Sequence, residues 1–384
     1  MFMRFLAALI AMAHMASAST RYMMYLTGQH NVVPDKSLVS DITHVALAFM
    51  SSATFNQVQP SSWPLFTTVE VARSQFTDGT AVMVAIGGWG NTAGFGIAAA
   101  TEITRKLFAH NVKSMVDATG ADGVDIDWEY PGGNGEDYKQ IPNPEKAWEI
   151  EAYPLLLSEI RSALGPEKLI SAAVPGLPRD MLAFTKSTIP AISASLDFFN
   201  VMTYDLMNRR DNVTKHHTGI ESSLTAIEAY EERGVPSEKM NLGFAFYIKW
   251  YKTDPHGGCD KNPVGCKTAL MEDPLTGADL GQAGAFSWHD PAPDDVSASY
   301  EKAIAHGKYD SEYGGHYYWD PEENLWWSWD TPYVIAKKFP AIMEKKGLGG
   351  AFAWGLGEDA DDFTHLKALT IEVKRLARGY QDEL

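Results

Sequence analysis

The chain has 384 residues, 45% of them hydrophobic, which is enough apolar material for one large α/β barrel or for two ordinary domains. It carries 49 acidic and 32 basic residues, a formal net charge of -17. Because binding to a phosphate backbone needs clustered Lys and Arg, this charge argues against a nucleic acid partner and favours a neutral or cationic one.

The N-terminus has the features of a secretory signal. Arg4 precedes a short apolar run, and the small residues Ala16 to Ala18 predict cleavage after Ala18. The alternative is a membrane anchor, but that needs about 20 apolar residues, roughly twice the length of this run. We therefore expect a signal peptide at 1–18, a secreted mature chain at 19–384 and no membrane span.

The last four residues, QDEL, differ by one letter from signals that receptors read to retain proteins in the endoplasmic reticulum. Gln381 replaces the usual basic first residue of such a signal, which favours a chance ending. Retention in the endoplasmic reticulum remains the alternative to secretion.

Eight short apolar runs follow in the chain, with helix-like segments between them. This rhythm is typical of strand-helix units around a parallel sheet. The eight runs predict an α/β fold of the (β/α)8 TIM-barrel type, which needs about 250 residues. The strand candidates are 22–27, 43–50, 81–88, 123–127, 169–176, 197–205, 240–247 and 348–354, and the clearest helix candidates are 103–118, 144–164, 224–233, 332–346 and 364–377.

The surplus length lies mostly at 248–329, between the seventh strand and its helix. This stretch is rich in Gly, Pro, Asp and aromatic residues and predicts a small α+β insertion. Its two cysteines, Cys259 and Cys266, predict a disulfide that closes a small loop, since an oxidising compartment permits one. Nearby, Asn212 begins an N-V-T sequon and is a candidate for glycosylation.

The segment ADGVDIDWEYPGG carries acids at every second position of an apolar run. If it is a barrel strand, Asp125, Asp127 and Glu129 share the inner face, while the residues between them face the helices. The three acids then climb toward the C-terminal mouth, where barrel active sites lie. Crowded carboxylates cannot all ionise cheaply, so at least one should keep the proton that a general acid needs.

Two other interpretations of this pattern are a solvated acidic turn and a site for a divalent metal. Apolar, strand-like flanks argue against the turn. A third use of paired carboxyls is the cleavage of a glycosidic bond, in which the two groups ordinarily flank the bond from separate elements. Here Asp127 and Glu129 come from one strand, so both would lie on the same side of a bound sugar. Asp127 would then be badly placed as a nucleophile. A reaction in which the substrate supplies its own nucleophile suits this arrangement better.

These residues resemble glycoside hydrolase family 18, the chitinases and their relatives. DGVDIDWEYP resembles the family's D-G-x-D-x-D-x-E signature, and further segments occur in the expected order: AIGGWG at 85–90, VMTYD at 201–205, LGFAFY on the seventh strand and GGAFAWGLGED at 349–359. The likeness covers nearly the whole mature chain and is greatest to fungal-type chitinases. It implies chitin or chito-oligosaccharides as substrate, with no cofactor and no metal.

The resemblance also implies catalytic roles. Glu129 would be the acid and base, Asp127 would hold the substrate's N-acetyl group, and Asp125 would share a proton with Asp127. Tyr204 would donate its hydroxyl to the acetamide. The implied substrate-binding residues are Trp354 as the floor beneath the sugar, Met202, Asp205, Trp89, Tyr130 and Phe49. The tryptophans near the end of the insertion predict either a cleft wall or the insertion's own core.

One position departs from the family pattern: Ala85 stands where a serine is usual, so a hydroxyl expected to support Asp125 is missing. Tyr25 on the first strand is a candidate replacement. Two other functions remain open, a chitin-binding lectin without activity and an endoglycosidase acting on N-glycans. We expect a monomer, and the choice between endo and exo cutting stays open.

Overall fold

A computed structural model describes the backbone of residues 20–382 and the side chains of residues 20–378. The signal peptide predicted at 1–18 and the end of the QDEL sequence therefore lie outside the described residues. Within residues 20–382, no helix is both long and apolar enough to cross a bilayer.

Eight parallel strands close into a barrel, as the sequence predicted. In chain order they are β1 (Arg21–Thr27), β2 (His44–Met50), β3 (Ala81–Gly87), β4 (Gly123–Asp127), β5 (Leu169–Pro175), β6 (Phe198–Met202), β7 (Met240–Ala245) and the last strand, β13 (Gly350–Trp354). Each strand pairs with its neighbour in the chain, and β13 pairs with both β1 and β7. The fold is therefore a (β/α)8 barrel.

Helices surround the barrel. They are α1 (Val69–Gln75), α2 (Ala93–Ala99), α3 (Glu102–Thr119), α4 (Asn143–Lys146), α5 (Glu149–Leu164), α6 (Ile189–Ser195), α7 (Ile220–Glu231), α9 (Pro332–Lys338) and α10 (Thr364–Asp382), whereas α8 (Ser297–His306) packs on the insertion. Alternate strand residues, such as Val124 and Ile126 of β4, pack under them in one large apolar layer. A second apolar cluster, which includes Tyr25 and Ala85, fills the barrel interior.

Some predicted boundaries were wrong. The helix predicted at 144–164 is divided into α4 and α5. The helix predicted at 332–346 changes after α9 into a wider π-helical turn, Phe339–Glu344. Pro340 lies in this turn and has no N–H to donate, so the regular hydrogen-bond ladder cannot continue through it. The sixth strand, predicted to reach residue 205, ends at Met202.

The predicted insertion is an antiparallel sheet between β7 and α9. Its strands are β8 (Tyr247–Lys252), β9 (Ala283–Ser287), β10 (Lys308–Asp310), β11 (Gly315–Asp320) and β12 (Leu325–Trp329), in the spatial order β10-β11-β12-β8-β9. Trp326 and Trp327 are fully buried on opposite faces of this sheet, each in a separate apolar cluster. These two tryptophans therefore form part of the insertion's own core and not a wall of the cleft.

The predicted disulfide joins Cys259 to Cys266, seven residues apart in the loop between β8 and β9. Asn212 is exposed in the loop after β6. Its glycosylation stays a prediction.

A buried ion pair ties the end of the insertion to the barrel. In α9, Lys338 donates from Nζ to Oδ2 of Asp330 at 2.8 Å and to the Thr218 hydroxyl at 2.6 Å, and neither charged side chain is exposed. Burial lowers the pKa of Lys338, and the charge of Asp330 opposes that shift. Each of these two buried charges is therefore compensated by the other, and removal of one leaves the other without a counter-charge.

We expect Lys338→Met to lower the free energy of unfolding by about 3–5 kcal/mol, because it leaves the Asp330 carboxylate buried without a counter-charge. The exposed neighbour Lys337 provides the matched control, since Lys337→Met should cost less than about 1 kcal/mol. Urea denaturation of both variants measures the difference. Equal stabilities would show that the buried pair is not a major stabilising contact.

Candidate active site

The lowest acid of β4, Asp125, lies fully buried inside the barrel. Its carboxylate accepts three hydrogen bonds: from the Tyr25 hydroxyl at 2.7 Å, from the Ser171 hydroxyl at 2.6 Å and from Nδ2 of Asn200 at 3.1 Å. Burial raises the pKa of Asp125, and the two hydroxyls and the amide oppose that shift. The predicted Tyr25 contact is confirmed, while Ser171 and Asn200 were not foreseen.

Two residues higher, Asp127 ends the strand. It is 4% exposed, and its Oδ1 atom is buried without a hydrogen-bond partner among the described residues. Burial raises the pKa of Asp127 well above its ordinary value, and the charges of Glu129 and Asp125 add to the shift. A buried polar atom without a partner is costly, so this carboxyl is poised to gain one from a ligand.

Beyond the strand end, Glu129 lies half-buried at the mouth of the barrel. Burial raises the pKa of its carboxyl to about 7, with further contributions from the charges of Asp205 and Asp180. A carboxyl with this pKa can donate a proton near neutral pH and accept one back afterwards.

This raised pKa predicts a pH dependence. Glu129 keeps its proton below about pH 7 and loses it as the pH rises through that value, so proton donation fails on the alkaline side. We expect kcat/KM for an oligosaccharide substrate to fall as the pH rises through about 7. A profile that stays flat up to about pH 9 would contradict this assignment.

Across the mouth, Tyr204 and Asp205 follow the end of β6, and Asp205 has a positive φ of 54°. The Asp205 carboxylate accepts hydrogen bonds from the Tyr247 hydroxyl at 2.7 Å and from Nζ of Lys249 at 2.9 Å. Burial raises the pKa of Asp205, but the charges of Lys249 and His217 and the hydrogen bonds from Lys249 and Tyr247 together outweigh it, so the pKa is lowered.

Sequence reasoning missed Tyr247 and Lys249. Both lie on β8, the first strand of the insertion, and both line the same cleft as Tyr204. The available signal was the alternation in YIKWYK, which places these two residues on one face of a strand. That pattern does not indicate which part of the barrel mouth the face will meet.

Aromatic side chains form one side of the cleft. Trp354, the last residue of β13, stacks on Phe49 of β2 with ring centroids 5.4 Å apart and the planes inclined by 20°. Trp89 is 48% exposed, and its ring lies 6.4 Å from that of Tyr130. Exposed, fixed aromatic faces suit the apolar C–H face of a pyranose ring.

These groups surround one cleft of about 660 Å³ at the C-terminal end of the barrel. Its lining includes all the predicted catalytic and substrate-binding residues except Asp125, which lies beneath the floor: Glu129, Asp127, Tyr204, Trp354, Met202, Asp205, Trp89, Tyr130 and Phe49. No group of three or more His, Cys, Asp or Glu side chains in the described part of the chain has a geometry suited to a metal ion.

The effect of having Ala85, and not a serine, beside Asp125 can be tested. Ala85 is fully buried on β3 and lies directly beside Asp125 in the strand register. Ala85→Ser adds a hydroxyl that can donate to the ionised carboxylate, which lowers its pKa. We therefore expect the acidic limb of the kcat/KM profile to move to lower pH. Ala46→Ser, which buries a hydroxyl elsewhere in the barrel interior, is the control, and identical profiles for Ala85→Ser and the unmodified protein would refute the idea.

A family model described as "Glycosyl hydrolases family 18" matches residues 21–359. The chain belongs to this family, which confirms the resemblance inferred from the sequence.

Relatives at moderate sequence identity are named as chitinases or chitotriosidases. "Chitinase 1" of Aphanocladium album is 29% identical over 293 residues, which cover 71% of this chain and 60% of the relative. "Chitotriosidase-1" of Mus musculus is 28% identical over 302 residues, which cover 73% of this chain and 58% of the relative. The chain thus spans about 60% of the length of these two relatives.

Solved structures share the fold. A chitinase from Rhizomucor miehei superposes with a TM-score of 0.71 at 20% identity, covering 92% of this chain and 99% of that chain. An immunomodulatory active chitinase from Trichuris suis superposes with a TM-score of 0.70 at 21% identity, covering 93% of this chain and 100% of that chain. At these identities the likeness shows the barrel architecture.

Proposed function

We propose that this protein is a chitinase that hydrolyses the β-1,4 bond between N-acetylglucosamine units, using the substrate's own acetamide as nucleophile. Membership of family 18 supports the class of reaction. The observation that carries the mechanism is the Oδ1 atom of Asp127, which is buried without a hydrogen-bond partner among the described residues and ends β4 only two residues before Glu129.

In the first step, the Glu129 carboxyl donates its proton to the glycosidic oxygen as the bond from C1 to that oxygen breaks. The carbonyl oxygen of the neighbouring acetamide forms a bond to C1 from the other face of the sugar. A positively charged oxazolinium ring results, and the leaving chain departs with the proton of Glu129. The Asp127 carboxylate accepts a hydrogen bond from the acetamide N–H. This contact orients the acetamide oxygen as nucleophile, and the negative charge of Asp127 compensates the positive charge that develops on the ring.

In the second step, the Glu129 carboxylate removes a proton from water as the water oxygen attacks C1. The oxazolinium ring opens, the acetamide is restored and Glu129 regains its proton. Two successive displacements at C1 retain the β configuration.

The surrounding residues support these steps. The charge of Asp125 helps to raise the pKa of Asp127, and we propose that the two carboxyls share a proton that moves toward Asp127 or away from it as charge develops. Tyr204 donates its hydroxyl to the acetamide carbonyl, and Trp354 provides the floor for the reacting sugar. Asp205, held by Tyr247 and Lys249, meets sugar hydroxyls at the mouth.

The test uses chitin oligomers and, in parallel, a high-mannose glycoprotein. We expect cleavage of the oligomers, and nuclear magnetic resonance of fresh product should show the new reducing end as the β anomer. Cleavage of the glycoprotein alone would replace the proposal with an endoglycosidase. Oligomer binding without cleavage of either substrate would leave a lectin, and an initial α anomer would refute the acetamide mechanism.

We also propose that residues 19–384 form one secreted catalytic domain with the insertion at about 248–329. The disulfide between Cys259 and Cys266 supports an oxidising compartment. Terminal sequencing of secreted protein should find residue 19 first, and secretion of chains with and without residues 381–384 compares export with retention.

A further inference from the structure

At one end of the cleft a carboxyl lacks a fixed cation. Glu358 follows the last barrel strand, is 7% exposed and lines the cleft. A Cβ placed on Gly355 would lie 3.3 Å from its Oε1 atom, so the carboxyl lies against the residue that follows Trp354. This carboxyl therefore lies in the same cleft as Trp354, close to the end of the strand that carries it.

Two other side chains from separate parts of the fold share this corner. His30, in the loop after β1, lies with Nε2 3.0 Å from Asp290, which follows β9 in the insertion. On its other side, Nδ1 of His30 lies 3.9 Å from Oε1 of Glu358 and is buried without a hydrogen-bond partner among the described residues. The corner thus contains two carboxyls and the imidazole of His30, and the ring of His289 packs edge-on against His30 with centroids 5.9 Å apart.

Apart from the proposed catalytic acids Asp127 and Glu129, the other acids of the cleft have cations of their own. Asp205 pairs with Lys249 at 2.9 Å, and Asp279 lies 3.4 Å from Arg209. Asp180 lies 3.9 Å from Arg179. In the described part of the chain, no lysine or arginine nitrogen lies within 4.0 Å of the carboxylate of Glu358 or Asp290.

The surroundings therefore leave Glu358 undercompensated. Burial raises its pKa to about 7, the imidazole of His30 opposes that shift and the charge of Asp290 adds to it. A hydroxyl donated by a neutral sugar would satisfy a lone pair but leave the negative charge without a partner. An ammonium group supplies a hydrogen bond and the counter-charge together, which is what a buried carboxylate needs.

We propose that the corner formed by Glu358, Asp290 and His30 is a subsite for the free amine of a glucosamine unit, so that the protein prefers partly deacetylated chitin with an amine at a set distance from the cleaved bond. The cleavage preference rests on the proposed chitinase function, whereas the binding of an amine at this corner does not. The catalytic sugar keeps its acetamide, because that group is the nucleophile, and the amine belongs to a neighbouring sugar.

The first test measures kcat/KM for partly deacetylated chitin and for a fully acetylated oligomer. The value for the deacetylated substrate is divided by the value for the acetylated one. We expect Glu358→Gln to lower this ratio about tenfold, because it removes the charge and keeps the shape. Sequencing the products of the unmodified protein should show glucosamine enriched at one position relative to the cut. Asp290→Asn, at the more exposed rim, should lower the ratio in the same direction.

Asp295→Asn is the matched control, since Asp295 lies five residues beyond Asp290, is exposed and does not line the cleft. Its ratio should stay within about twofold of the unmodified protein. A ratio that Glu358→Gln and Asp290→Asn leave unchanged, or glucosamine distributed at random about the cut, overturns the proposal. If Glu358→Gln does not fold, Asp290→Asn and the product sequences still decide.

A binding measurement separates this proposal from the chitinase assignment. In Glu129→Gln protein, calorimetry compares the fully acetylated tetramer with two tetramers that each carry a single free amine, one at either end. We expect one of the two amine tetramers to bind more tightly than the acetylated one, and Glu358→Gln should remove that gain. Equal affinities overturn the amine site even if chitin is cleaved, whereas a tighter amine tetramer supports it even if no cleavage occurs.

Discussion

Glu129→Gln is expected to lower kcat on chitin oligomers by about a thousandfold, within the range that general acid-base catalysis contributes. Glutamine keeps the size and hydrogen-bonding shape of the side chain but cannot donate a proton to the glycosidic oxygen or remove one from water. Both steps of the proposed reaction need that proton, so the loss should fall on kcat rather than on KM. Single-turnover kinetics with a chromogenic oligomer measures it.

Glu145→Gln is the matched control, because Glu145 is exposed on α4 and makes the same change of charge outside the cleft. Its kcat should equal that of the unmodified protein within about twofold. A Glu129→Gln variant that keeps more than about a tenth of the activity would move the acid to another residue and remove the basis of the mechanism.

Asp127→Asn is expected to lower kcat by about a hundredfold or more, comparable to the loss of a donor or acceptor aimed at developing charge. The amide can still approach the substrate's acetamide, but it carries no negative charge to compensate the oxazolinium ring. Its NH₂ group also replaces one acceptor with a donor. Trapping should therefore show slower formation of the intermediate, with binding of the intact oligomer less affected.

The exposed residue Asp117 on α3 provides the control, since Asp117→Asn removes a carboxylate paired only with Lys113 on the same helix. A second comparison uses an oligomer that carries a better leaving group. If Asp127→Asn stayed slow only with the poor leaving group, the residue would assist Glu129 instead of the acetamide. An equal loss with both substrates supports its role at the nucleophile.

The strand that carries these acids was predictable because strand geometry depends on local pattern. Alternating side chains point to opposite faces, so acids at every second position of β4 had to share one face once the apolar residues between them packed under helices. Eight such runs separated by helical segments predicted the barrel, because parallel strands need crossover connections. The choice of Glu129 as the outermost acid followed from the direction of the strand.

Boundaries were less predictable where local chemistry competes with periodicity. The apolar pattern continues smoothly through Pro340, yet the missing N–H changes the helix there. Similarly, the strand predicted at 197–205 ends at Met202, because Thr203 and Tyr204, although residue types that favour strands, lie in the turn that leads to Asp205. Periodicity records burial, and burial continues into well-packed loops.

By itself, the sequence determined the barrel, the insertion and the acid-bearing strand, because these follow from periodicity and spacing along the chain, whereas the role of Trp354 as a sugar floor came from the family resemblance. Only the tertiary structure decided which groups from distant segments meet. It placed the hydroxyls of Tyr25 and Ser171 on Asp125, Lys249 on Asp205, and His30 between Asp290 and Glu358. Such contacts depend on how strands align around the barrel and how the insertion docks on it, and no local pattern records that alignment.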